Sequence, residues 1–128
     1  MNGGDMTANE IINKVHQLVD GVNNHNIAAV IGLYDDDAIL EDPVGTDPKS
    51  GHEAIKAFYQ QGFKVKIWFE LTGPIRCAGN SAAFPFLATI DLGENKTSME
   101  IIEVLEFNEE GKVKLMRAYW GPENCVQN

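Results

Sequence analysis

Positive charge is scarce in this chain. Ten lysines and arginines stand against nineteen acidic residues, a formal charge of −9 at neutral pH. A surface of that sign repels phosphate backbones and anionic lipid, so nucleic acid and membrane are set aside as partners. No apolar run approaches the ~20 residues that a membrane-crossing helix needs. The start, Met1 to Glu10, is polar and lacks the basic-then-apolar pattern of a secretory signal. Cysteine is nearly absent too. Cys77 and Cys125 stand far apart without CxxC or Cys/His spacing, which reads as free thiols of a reducing, cytoplasmic setting rather than a disulfide framework or metal site. There is no internal repeat and no low-complexity segment. What is present suffices for one core: 128 residues, 44% of them hydrophobic, read as a single domain over 1–128. The composition leaves a small acidic domain acting on a small molecule or on another protein.

Helical signals come first along the chain. Thr7-Ala8-Asn9-Glu10 forms a capping box, and Ile11, Ile12, Val15, Leu18, Val19 and Val22 then recur at helical spacing. Asn23 to Asn26 break that helix, and Asn26 can cap a short second one carrying Ile27, Val30, Ile31 and Tyr34. Ala38 to Asp42 reads as a strand halted by Pro43, and Val44 to Lys49 as a loop. Ser50-Gly51-His52-Glu53 is a second possible capping box, opening a helix with Ile55, Phe58 and Tyr59.

The period switches to two after Lys64. Val65, Ile67, Phe69 and Leu71 alternate with mostly polar residues, and four further strands follow: Ile75 to Ala78, Ser81 to Leu92, Thr97 to Phe107 and Lys112 to Trp120. Pro85 removes a ladder donor, so its strand should be bulged or at an edge there. Helices first and hairpin-linked strands afterwards predict an α+β fold: a curved mixed or antiparallel sheet packed with three N-terminal helices. Three helices cannot cover so long a sheet on both faces. The last strand carries apolar groups on each face (Val113, Leu115, Tyr119; Met116, Ala118, Trp120), which points to a homodimer.

Two carboxylates fall on faces where carboxylates are out of place. Glu103 alternates in phase with Met99, Ile101, Leu105 and Phe107. Burial there raises a carboxyl pKa toward the neutral acid, which can donate to a developing oxyanion. The plainer alternative is a margin glutamate paired with Arg117. Asp42 shares a face with Ala38 and Leu40, and Pro43 beside it offers no N–H. It reads either as an unpaired inward general base or as an Asp-Pro turn initiator. Phe84, Phe86, Ile90, Met116 and Trp120 are the apolar groups expected around the pair. Trp68 faces away from Val65, Ile67 and Phe69, and His16 flanks the apolar stripe of the first helix as a surface residue.

These segments resemble the ketosteroid isomerase (steroid Δ5-isomerase) family of the SnoaL/NTF2-like superfamily. The resemblance is carried by Leu33-Tyr34-Asp35-Asp36-Asp37-Ala38 running into Glu41-Asp42-Pro43-Val44-Gly45, then Ala57-Phe58-Tyr59 and Ala82-Ala83-Phe84-Pro85-Phe86. Ile102 to Asn108 and Met116 to Trp120 complete it, and Glu41 to Gly45 is the most specific piece. The resemblance implies an NTF2-like cone with a deep apolar pocket, a homodimer through the sheet, and chemistry that needs no cofactor or metal. It puts Asp42 at the family's proton-shuttling aspartate and Glu103 at its protonated oxyanion acid, one methylene longer. That division of labour is the family's own and comes here by resemblance. Leu18 falls where the family has its principal oxyanion tyrosine, and leucine donates nothing. Tyr34 and Tyr59 match supporting phenols, and Tyr59 is the better placed to take over. Leu18, Phe58, Phe84, Phe86, Ile90, Met116 and Trp120 are the expected pocket. The ligand class is small and hydrophobic, a steroid or similar enone; a polyketide-type substrate and a non-catalytic binding role are the alternatives.

Overall fold

In the computed structural model, which describes residues 5–127, the first helix opens on the capping box read from the sequence. Thr7 Oγ1 accepts from Glu10 N at 3.1 Å and Glu10 Oε1 accepts from Thr7 N at 2.9 Å. Helix α1 (Ala8–Asn23) turns Ile11, Val15, Leu18 and Val22 into the core. Asn26 caps α2 (Ile27–Ile31), its side chain accepting from Ala29 N. Gly21 lets the two helices meet: a Cβ there would lie 2.8 Å from Val30 Cγ2.

Strand β1 (Tyr34–Glu41) begins earlier than its residue types suggest. Tyr34 is the first residue of this strand and not the end of α2, and the three aspartates lie within it. Pairing decides this: β7 (Val113–Tyr119) runs parallel to β1, with Tyr34 opposite Val113 and Leu40 opposite Met116. Such tertiary pairing overrides the turn preference of aspartate. Ser50 is likewise no helix cap. It belongs to β2 (Lys49–Ser50), opposite Ile39, and helix α3 (His52–Gly62) starts behind Gly51 with no side-chain cap. Gly51 sits at φ +87°, a backbone region closed to most other residues.

The rest of the chain builds the sheet. Strands β3 (Lys66–Leu71), β4 (Arg76–Ala78), β5 (Ser81–Asp91), β6 (Lys96–Phe107), β7 and β8 (Cys125–Gln127) join β1 and β2 in one curved, unclosed eight-strand sheet. Its order is β2-β1-β7-β6-β5-β3, with β4 also on β5 and β8 also on β6. All pairings but β1–β7 are antiparallel, so the fold is α+β with a mixed sheet. Strand β8, three residues behind a short 3₁₀ turn (Pro122–Asn124), is too brief for periodicity to reveal.

Pro85 settles into an edge-like position without a bulge. Its register with Ile102 on β6 is continuous, while on the other side β5 changes partner from β4 at Ala83 to β3 at Phe86. The proline nitrogen faces that gap, where Pro85 O accepts from Thr72 N at 3.1 Å. Val113 departs from the expected face. The β6–β7 register slips between Glu106 and Phe107, setting Leu115 opposite Glu106 but Val113 opposite Phe107, so Val113 turns inward and is buried.

The core lies between the helices and one end of the concave face, where Tyr34, Phe84, Leu105 and Phe107 share one buried cluster with Ile11, Val15, Leu18 and Val22 of α1. Each fully buried side chain of this size contributes about 1.5–3 kcal/mol. The other end of that face carries smaller groups, Ala88 and Ala118 among them, and there the wall stands away from the helices.

Candidate active site

Strand alternation aims Asp42. Leu40 points inward and Glu41 outward, where it accepts from Arg117 Nε at 3.2 Å; the next residue turns inward again. Behind it, Val44 N donates to Ala118 O at 2.9 Å and fixes the following loop to β7. Asp42 is not unpaired, as its neighbour Pro43 suggested. Trp120, one residue past β7, donates its indole N–H to Asp42 Oδ1 at 2.7 Å.

Glu103 sits mid-way along β6 with Phe84 of β5 and Ala118 of β7 as cross-strand neighbours. It is 2% exposed, and its Oε2 finds no hydrogen-bond partner among the described residues. Arg117 does not reach it, being engaged with Glu41 on the opposite face. Burial therefore pushes the Glu103 carboxyl well above the ordinary range, and the nearby charge of Asp42 adds to this. Asp42 is also raised by burial, but the Trp120 N–H and the Lys49 charge pull it back. The two acids differ in degree rather than in direction: one keeps a donor and a cation, the other has neither.

Two tyrosines stand beside them. Tyr34 Oη and Tyr59 Oη lie 2.6 Å apart, both buried. Burial holds both phenols well above their usual pKa, so both keep their protons at neutral pH. Tyr59, on α3, reaches the wall of a cavity of about 440 Å³ that also takes in Asp42 and Glu103; Tyr34 stands behind it. That volume lies within the ~300–1,000 Å³ of small-molecule sites.

Of the residues that the sequence assigns to a substrate pocket, Phe58, Phe86, Ile90, Met116 and Trp120 line this cavity. Leu18 and Phe84 do not: both are buried in the packed core and form no part of its lining. The sequence reading overlooked the wall formed by Phe63, Val65, Ile67, Phe69, Met99 and Ile101. Its signal was the alternation that put Met99 and Ile101 in phase with Glu103. A broader groove of about 630 Å³ crosses the other face, bordered by Glu100, Ile102, Tyr119 and Glu123. Its carboxylates, Glu100 and Glu123, are exposed, whereas the apolar cavity holds the two buried acids. Trp68 alternates away from the cavity-lining Ile67 and Phe69, with the ammonium groups of Lys66 and Lys96 5.6 and 5.9 Å from its ring, and His16 is exposed. Among the described residues no three metal-ligating side chains converge and no helix is long and apolar enough to cross a membrane.

The sequence profile of the SnoaL-like domain matches residues 15–116, a span that contains both acids. The chain belongs to the SnoaL-like family. Within it, this domain is 38% identical over 117 residues to the steroid Delta-isomerase of Nocardioides simplex, covering 91% of this chain and 94% of that protein. It is 29% identical over 107 residues to epoxide hydrolase LasB of Streptomyces lasalocidi, spanning 37% of that longer protein. The fold matches the epoxide hydrolase/cyclase-like enzyme SalBIII, which has a role in pyran ring formation in the polyether salinomycin. The TM-score is 0.86 at 23% identity, over 91% of this chain and 95% of that one. These SnoaL-like relatives are enzymes, and the isomerase is similar along nearly its whole length.

Proposed function

We propose that this SnoaL-like domain is a steroid Δ-isomerase-type enzyme, moving a double bond into conjugation with a carbonyl on a flat apolar enone. The observation that carries the reading is the pairing of acids in one apolar cavity: Glu103, buried with an unpartnered oxygen, and Asp42, held by Trp120. Asp42 takes the proton from the carbon between the carbonyl and the double bond of a Δ5-3-ketosteroid. The electron pair moves onto the carbonyl oxygen as a dienolate, and Asp42 returns the same proton at the far end of the conjugated system. Nothing is oxidised or reduced.

Glu103, protonated, donates to the dienolate oxygen, where charge grows in the transition state. Tyr59 substitutes for the donor that Leu18 lacks: either hydroxyl of the 2.6 Å pair can donate, and with Tyr34 as the donor the Tyr59 hydrogen is left for the substrate. Phe86, Met116 and Ile90 exclude water and grip the rings. The test is a spectrophotometric assay with 5-androstene-3,17-dione, following the conjugated product, beside Asp42→Asn. Turnover abolished in the variant is expected; an equally active Asp42→Asn excludes Asp42 as the base.

A second reading keeps both acids and changes the substrate. The similarity to LasB favours an epoxide, which Glu103 would protonate while Asp42 activates the attacking hydroxyl. Steroid binding without turnover moves the assignment there, or to a binding role if epoxides are also left intact. The outer face suits a homodimer in either case: Ile102 is 52% and Tyr119 47% exposed on neighbouring strands. Sedimentation of a dimer supports this, and a monomer at micromolar concentration overturns it.

A further inference from the structure

His25 is the one non-glycine residue with positive φ among the described residues, at +51° between α1 and α2. Only a few per cent of non-glycine residues adopt such a backbone, and it persists where surrounding contacts impose it. Here those contacts are specific. The imidazole stacks on Phe63 with centroids 4.7 Å apart and planes 8° apart, and its Nε2 lies 3.1 Å from Ile67 O. A carbonyl only accepts, so Nε2 carries the hydrogen.

Both partners belong to the cavity wall. Phe63 closes α3, lines the cavity and touches Tyr59 with centroids 6.3 Å apart. Ile67 lines it from β3, the free edge of the sheet. Two residues earlier, Asn23 makes a double clamp on the same edge: Asn23 Nδ2 donates to Phe69 O at 3.0 Å and Phe69 N donates to Asn23 Oδ1 at 2.6 Å. Gln61, exposed and also on the wall, shows that the cavity opens at the α3–β3 connection, beside Phe63.

We infer that His25 is a positioning residue that latches the mouth of the cavity, holding Phe63 and β3 together across the path a flat apolar ligand takes. Asn23 is the fixed side of this device, with two hydrogen bonds to one backbone position. His25 is the side that can let go, through one hydrogen bond and one ring face at the surface. Releasing it frees the Phe63 ring and widens the gap toward Tyr59 while Asp42 and Glu103 stay in place. The strained backbone at position 25 is then retained for the contacts it makes. The inference rests on the cavity being the ligand site, not on which reaction occurs there.

The experiment uses His25→Gly, since glycine is at ease at this φ and the variant separates the latch from the fold. Binding of the neutral flat dye Nile red is followed by stopped-flow fluorescence. Association and dissociation rates are expected to rise together, about tenfold, the factor set by one hydrogen bond and one ring stack. The Kd stays within about twofold and Tm is no lower than that of the wild type. His25→Gln, whose amide nitrogen reaches as far as the imidazole Nε2, keeps a donor toward Ile67 O without the ring stack and gives intermediate rates. Unchanged rates in a folded His25→Gly overturn the latch. Faster rates with a Tm lower by more than about 5 °C overturn it as well, because His25 would then act on the fold. A wild type that turns over no steroid but binds the dye leaves the latch standing; one that binds no dye removes both.

Discussion

Replacing Glu103 by glutamine separates a neutral buried acid from a buried charge. Glutamine has nearly the shape of protonated glutamic acid, keeps a hydrogen-bond donor and cannot ionise. Burial raises the Glu103 pKa well above 4.5, so the folded protein holds this proton over a pH range where the unfolded chain has released it. Unfolding then sheds a proton, and stability falls as pH rises. The contribution is complete below about pH 4.5, the unfolded value, and is lost as pH climbs to the elevated folded value. Within that window the slope approaches one proton, about 1.4 kcal/mol per pH unit. For a domain of this length that is roughly 5 °C in Tm per pH unit. Asp42 is raised in the same direction and is present in both proteins; it faces a neutral side chain in both while Glu103 keeps its proton, so over that range it cancels. Thermal melts of wild type and Glu103→Gln between about pH 5 and 8 should diverge, with the wild type falling more steeply. Activity in Glu103→Gln should drop by about tenfold or less, since a neutral donor remains, whereas Glu103→Ala should lose ~10²–10³. Parallel melting curves would refute the reasoning, because the carboxyl would then be ionised in the folded state.

Three further outcomes follow from individual contacts. Trp120→Phe removes the donor that holds the Asp42 pKa down, so the acidic limb of kcat/KM moves to higher pH; an unmoved limb excludes that role. Tyr59→Phe lowers kcat about 10–100-fold and Tyr34→Phe less, because Tyr34 acts through Tyr59. Losses no greater than in a surface control remove Tyr59 from the oxyanion site. Gly21→Ala brings a methyl to 2.8 Å from Val30 Cγ2 and costs about 1–3 kcal/mol, read as a lower Tm; an unchanged Tm means that α2 yields freely.

Alternation alone located both acids. A strand side chain has two directions, and Glu103 among Met99, Ile101 and Leu105 has its direction set by residues that must be inside. The helix caps at Thr7 and Asn26 were legible for a similar reason, each being a local hydrogen bond closed within a few residues. What escaped the sequence depends on partners far along the chain. Tyr34 and the three aspartates after it extend only because β7 lies beside them, and Val113 faces inward only because the β6–β7 register slips. The Trp120 bond to Asp42 spans 78 positions and leaves no local trace. His25 shows in the sequence only as a helix breaker, since its strain and its stacking belong to the assembled mouth.

The same geometry explains why this end of the sheet is held open. An enclosed dry void of about 440 Å³ would cost about 10 kcal/mol at ~24 cal/mol per Å³, as much as the whole stability of an ordinary domain. Such a void could not persist, so the cavity has to communicate with solvent, and exposed Gln61 marks where. Tyr34, Phe84 and Phe107 fill the packed end, whereas at the acid end Phe58, Phe63, Phe69, Phe86 and Trp120 stand around the space as its walls, with Ala88 leaving room between them. The β3 edge would be free to close over that space, but Asn23 clamps its backbone from outside. Burying Glu103 with its Oε2 unpartnered costs further stability, which a filled apolar site would not. A fold that carries an open apolar chamber, an unpartnered acid and a strained latch is giving up stability at three adjoining points. The proposed binding and chemistry at one site would account for all three together, whereas a filled apolar core would need none of them.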